Sequence, residues 1–332
     1  MTGGTNPTPS DHQQGTLLTG GVVTLAGGVG AAKLLTGLVR VHPPRDQLAV
    51  VNTADDTVLH GLHVSPDLDT VIYTLAGAVN PETGWGLAGE TWQAMEALDR
   101  YGGITWFRLG DRDLATHLYR THRLGQGADL ASVTGEIATA WGLELAVVPV
   151  TNDTIRTRIT TVDEGEIDFQ DYFVRRRHNV TVTGVRVAGL ESAHPAPGLI
   201  EALTRATRII IAPSNPIVSI APVLGVPGVR EAVAARREAV MAVSPIVNGA
   251  ALKGPADRLM LELGHECSVV GVARLYRDVA ATLVIDEADA HLAPDVEASG
   301  MNCVVTHTVM NGPEEATALA RVVLGQAGRG RA

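Results

Sequence analysis

Several residue types and patterns are scarce here, and each scarcity narrows the function. Cysteine occurs twice in 332 residues, as Cys267 and Cys303. They form no CxxC pair, so neither a disulfide framework nor a cysteine-based metal site is expected. Basic residues are outnumbered, with 26 Lys and Arg against 36 Asp and Glu, for a net charge of −10. A general nucleic-acid surface needs a basic excess, so no nucleic-acid partner is expected. An anionic small molecule stays compatible with an acidic chain, because local Arg, Lys or backbone N–H groups suffice to hold it. No apolar run reaches the roughly 18 residues of a membrane span, and no membrane partner is expected. Residues 1–19 are polar and lack the charged-then-apolar pattern of a signal peptide. They read as a disordered tail, and the cytoplasm is the expected location. His60 and His63 have no HExxH or Cys/His set beside them, and no Gly-x-Ser-x-Gly elbow occurs.

What is present reads as α/β. Residues 22–26 form a short apolar run that ends in Gly27-Gly28-Val29-Gly30, and helical periodicity follows over 31–41 until His42-Pro43-Pro44 stops it. A second buried-type strand, 48–51, ends at Asn52. This order opens a doubly wound, mostly parallel, Rossmann-like sheet. Residues 67–142 read as a helical insertion, with helices expected at 68–76, 90–101, 111–124 and 129–141. Strand 145–150, a small β-hairpin over 155–162 and 166–169, and strand 180–187 come next. The final third returns to short strands at 209–212, 240–243, 283–285 and 303–306, with a last helix at 314–325. The expected organisation is one α/β domain over 20–328.

In such sheets ligands bind at the carboxyl ends of the strands. Those ends carry the glycine loop, Asn52-Thr53-Ala54-Asp55-Asp56, Pro213-Ser214-Asn215-Pro216 and Ser244 to Gly249. A glycine loop that opens a helix offers free N–H groups to a phosphate. It is neither a full dinucleotide fingerprint, since Lys33 stands where the third small residue belongs, nor a Walker loop. Those departures, and Asn52 in place of a ribose-binding acid, count against an NAD(P)-dependent oxidoreductase. Asp55 and Asp56 follow a strand, and Asp67 and Asp69 open the next helix in Pro66-Asp67-Leu68-Asp69-Thr70. Acids in a first turn also serve as caps. Clustered carboxylates beside a phosphate loop suggest a hard divalent cation such as Mg²⁺. Arg108 and Arg112, in a dense charged cluster, suit anionic oxygens.

These motifs fall together in one pattern. VTLAGGVGAAKLL (23–35), NTADD (52–56), PDLDT (66–70), NPETGWGLAGETW (80–92), WFRLGDRDLATHL (106–118), FQD (169–171), APSNPIVSIAP (212–222) and the segment 243–254 resemble, in order and spacing, the 2-phospho-L-lactate transferase family of coenzyme F-420 biosynthesis. The resemblance implies transfer of a phospho-three-carbon acid from a guanosine diphosphate ester to the ribityl hydroxyl of the deazariboflavin Fo, with release of GMP. The acid is lactate, enolpyruvate or glycerate. It implies Mg²⁺ as cofactor and a homodimer. It places the deazaflavin at Asp69 and Arg108. The nucleotide and its phosphates fall to Gly27, Gly28, Val29, Gly30, Lys33, Asn52, Ser214 and Asn215. The metal falls to Asp55 and Asp67, and catalysis to Asp69 and Asp55. The competing reading is a non-enzymatic nucleotide- or nucleotide-sugar-binding regulator of the same fold. The PDLDT and WFRLGDRD segments favour the transferase.

Overall fold

The computed structural model describes residues 21–326, so the expected N-terminal tail lies outside the described residues. Seven parallel strands make the central sheet. In chain order they are β1 (Val22–Ala26), β2 (Gln47–Val51), β3 (Ala146–Pro149), β4 (Arg208–Ile211), β5 (Val240–Val243), β6 (Thr282–Ile285) and β7 (Asn302–Val305). Their order across the sheet is β7-β6-β5-β4-β1-β2-β3. This is the doubly wound order, with its reversal between β1 and β4.

Every residue of β1 and β2 is buried, as continuous apolar strands are when helices cover both faces. The pleat sends neighbours to opposite layers. Val23, Leu25, Leu48 and Val50 join one core, while Val22, Ala26, Ala49 and Val51 join the other. On the second face lie α1 (Gly28–Val41), α2 (Pro66–Leu75) and the C-terminal helix Pro313–Val323. That helix approaches α1 so closely that a methyl group on Gly37 would sit 2.0 Å from the Ala316 carbonyl oxygen.

The helical stretch after β2 contains α2, Gln93–Asp99, α3 (Asp113–Gly125) and Leu130–Ala140. The last of these starts at Asp129, whose carboxylate accepts the Ser132 N–H at 2.7 Å. A short antiparallel pair, Thr57–Leu59 with Leu62–Val64, precedes the stretch. The hairpin expected near residue 160 is larger than predicted. Arg156–Thr161 pairs with Gly165–Asp168 on one edge and with Val182–Ala188 on the other, making a three-stranded sheet. The alternation of Arg156–Thr161 gives that sheet one buried face, which packs with Phe169, Tyr172, Val218 and Leu259. A second unanticipated hairpin joins Ile246–Val247 to Ala250–Ala251 through Asn248 and Gly249, both at positive φ (51° and 74°). Asn-Gly is the preferred sequence for that turn. Among the described residues no helix is long and apolar enough to cross a membrane.

Two glycines test this packing. Gly37→Ala should cost about 1–3 kcal/mol, because the added methyl meets backbone that cannot swing aside. Gly135, in helix Leu130–Ala140, has open space at its Cβ position. Gly135→Ala should stabilise by about 0.5–1 kcal/mol. Urea unfolding of both variants reads the two signs.

Candidate active site

The loops that follow β1 and β4 meet at the reversal point. Gly30 lies against the Pro213 carbonyl, where a methyl group would be 2.2 Å from the oxygen. Ser214 clamps the junction: its Oγ donates to the Gly27 carbonyl at 2.8 Å and accepts from the Gly27 N–H at 3.2 Å. Gly28 sits at φ 68°, a conformation other residues adopt only with strain. It opens α1, whose first turn carries no acidic residue; the Gly28 N–H bonds Asp67, and the N–H groups that follow it in the turn are the ones offered to an anion. Beside this loop opens a cavity of ≈ 560 Å³.

Gly27, Gly28, Val29 and Gly30 line the cavity, as do Asp55, Asp67, Asp69, Arg108, Ser214 and Asn215. Lys33 and Asn52 do not. Lys33 turns away and donates to the Met310 carbonyl at 2.9 Å. Burial, and then the charge of Lys253, push its amine below the usual range. Asn52 is fully buried and acts through Asp67, donating from Nδ2 to Oδ2 at 3.1 Å. The Asn215 side-chain oxygen accepts the Ile217 N–H at 2.9 Å, while its buried Nδ2 has no partner among the described residues.

The acids divide into two groups. Asp67 lies against the glycine loop, its Oδ2 3.1 Å from the ideal Cβ position on Gly27, and Asp55 lines the same cavity. Burial, then the charge of Asp67, holds the Asp55 carboxyl well above the usual range. Burial also lifts Asp67 to about 6, against hydrogen bonds from Asn52 and Gly28. Asp55 Oδ1 is buried and unpartnered among the described residues. Two buried hard oxygen donors, one of them raised by the charge of the other and with a free buried lone pair, fit a divalent cation. Asp56 is not part of this pair. It turns inward to accept from Ser65 Oγ at 2.7 Å, and burial pushes it up to about 8.

Asp69 belongs to a second network. Both its oxygens accept from Arg120, which is 1% exposed, with the Nη1 contact at 3.1 Å. His117 Nδ1 lies 3.7 Å from Asp69, and its Nε2 lies 3.2 Å from Asp113. Tyr73 donates to Asp113 at 2.6 Å. Burial alone would raise Asp113, yet His117 and the Tyr73 hydroxyl hold it below the usual range. The buried partner of Asp69 is therefore Arg120, while Arg108 places its guanidinium 4.0 Å over the Trp92 ring at the cavity wall. Asp69, Asp113 and His117 bring ligand atoms within 4.8 Å of one another. The Arg120 fork already occupies Asp69, so this group reads as an internally neutralised ion-pair network. Sequence reasoning overlooked Arg120 and His117. Their signal was the spacing 113, 117, 120, which puts all three on one face of α3.

Comparison with known proteins gives a consistent result. The family model described as 2-phospho-L-lactate transferase CofD matches residues 22–317. A phosphoenolpyruvate transferase of Kitasatospora aureofaciens is 41% identical over 309 residues, covering 91% of this chain and 96% of that protein. A 2-phospho-L-lactate transferase of Methanothermobacter thermautotrophicus is 38% identical over 305 residues, covering 92% and 97%. Among solved structures, a UPF0052-family protein of Bacillus halodurans superimposes with a TM-score of 0.59 at 16% identity, over 93% of this chain and 100% of that one. It shares the fold.

Two tests follow from the electrostatics. Arg120→Met leaves Asp69 buried without its counter-charge and should cost about 3–5 kcal/mol in urea unfolding. Arg108→Ala, at an exposed position, should cost under about 1 kcal/mol. The second test uses pH. A carboxyl whose folded-state pKa lies above its unfolded value weakens the fold as it ionises, so this loss grows as pH rises. Without added metal, Asp55→Asn should melt higher than the parent at pH 7.5. That advantage should shrink toward pH 4.5, near the ordinary carboxylate range of about 4.

Proposed function

We propose that this chain, which belongs to the 2-phospho-L-lactate transferase family, moves a phospho-three-carbon acid from a guanosine diphosphate ester to the terminal ribityl hydroxyl of a deazariboflavin, in the making of coenzyme F-420. The observation that carries the reading is the meeting of two sets of groups on one cavity. A glycine loop at a helix N-terminus, with Asp55 and Asp67 beside it, suits a diphosphate and its cation. Asp69 and Arg108, from the helical stretch, suit a polar acceptor bearing several hydroxyls.

Phosphoryl transfer asks mainly for position and charge neutralisation. The N–H groups of the glycine loop hold the diphosphate in line. Asp55 and Asp67 would hold Mg²⁺, which when bound neutralises charge on the phosphate oxygens. Asp69, fixed by Arg120, keeps lone pairs for the acceptor hydroxyl. The hydroxyl oxygen bonds to the phosphorus that carries the acid, and the bond from that phosphorus to the bridging oxygen breaks. The electron pair leaves with GMP, and the hydroxyl proton passes to the Asp69 carboxylate and on to water. Arg108 anchors the acceptor ring or its chain. The first donor to test is the enolpyruvyl ester. Relatives named phosphoenolpyruvate transferase share 39–42% identity with this chain, against 36–38% for those named 2-phospho-L-lactate transferase.

The test is incubation of the protein with Mg²⁺, Fo and each of the three guanosine-diphospho acids, read by mass spectrometry. The expected products are GMP and an Fo phosphodiester of one acid, with excess EDTA stopping both. Absence of both products with all three donors contradicts the reading. Gly28→Val should weaken donor binding at least ~100-fold, about 2.7 kcal/mol, because a branched side chain blocks the approach of phosphate to backbone.

A further inference from the structure

The cavity is acidic, and its proposed ligand is a polyanion. Asp55, Asp67, Asp69 and Asp113 all line it, and among the described lining residues the permanently charged cations are Arg108 and Lys253. Arg108 lies over Trp92, on the acceptor side. Lys253 lies in the loop that leaves the Asn248-Gly249 hairpin and enters helix Ala256–Glu262. Its Nζ donates to the Thr83 carbonyl at 3.1 Å. The ideal Cβ position on Gly84 is 3.0 Å from that nitrogen and 3.1 Å from Val29 Cγ1, so the ammonium and the glycine loop meet the same point of the segment that crosses above them. Its charge also reaches α1, where it lowers the Lys33 amine.

On the reading that the glycine loop takes a nucleoside diphosphate, we infer that Lys253 is the side-chain cation that binds the donor's diphosphate. An ammonium carries three N–H donors, and the Thr83 carbonyl uses one. The remaining two are available to phosphate oxygens. Lys253 therefore neutralises the diphosphate and at the same time ties the segment around Thr83 and Gly84 down over it. Lys33 is engaged with Met310, and the Arg108 guanidinium is stacked on Trp92.

The experiment is calorimetric titration of GDP and of guanosine into the parent, Lys253→Met and Lys253→Arg, in Mg²⁺ buffer. Lys253 is exposed, so both variants should fold, and their melting temperatures check this. The expected result is a GDP affinity at least tenfold lower for Lys253→Met, within about threefold of the parent for Lys253→Arg, and unchanged guanosine affinity throughout. Parent-like GDP affinity in Lys253→Met overturns the inference and leaves the nucleotide reading standing. Equal losses for GDP and guanosine also overturn it, since they mark a structural role. A parent protein that binds no GDP overturns both the inference and the reading beneath it.

Discussion

The site depends on the backbone contact between the loops after β1 and β4. Gly30 has no side chain, and only for that reason can its backbone reach the Pro213 carbonyl. Ser214 then fixes the approach with one hydroxyl that both donates to and accepts from Gly27. This contact closes the sheet at its reversal point and aims the N-terminus of α1 into the cavity. Asp67 comes to the same place from α2, because α2 packs along α1. The cavity's chemistry thus follows from helix packing on one sheet face, with the loops held at a fixed distance.

Charge supplies the second constraint. Four carboxylates around one cavity are unfavourable unless something compensates each. Asp69 and Asp113 are compensated internally by Arg120, His117 and Tyr73. Asp55 and Asp67 have hydrogen bonds but no cation partner among the described residues, and burial, with the charge of Asp67 acting on Asp55, raises both carboxyls. One acid pair is therefore structural in its partners and rigid. The other awaits a ligand's positive charge. A bound cation beside a helix N-terminus would turn a repulsive pair into a diphosphate site.

Much of the fold was legible in the sequence, because its strands are short apolar runs ending in small polar residues. β5 falls at Val240–Val243 as expected, and the other central strands start within a residue or two of expectation. The third strand beside Arg156–Thr161 was not legible as a partner, since pairing over twenty residues leaves no local mark. At the site, the glycine loop and Asp55, Asp67, Asp69 and Arg108 share one cavity. Adjacency in sequence misled for Asp55-Asp56, where the chain turns and sends the second acid to Ser65. It misled again at Lys33, whose helix face points to Met310 and away from the loop. Arg120 and Lys253 come from distant segments, and only the folded chain brings them to the site.

The central claim is that Asp55 and Asp67 form, with the glycine loop, one joint site for a metal and a diphosphate. Calorimetric titration of GDP with and without Mg²⁺, on the parent and on a doubly substituted Asp55→Asn/Asp67→Asn protein, tests it most directly. The account predicts that Mg²⁺ tightens GDP binding at least tenfold in the parent, about 1.4 kcal/mol, and has no effect in the double variant. Equal GDP affinity with and without Mg²⁺ in the parent would contradict it.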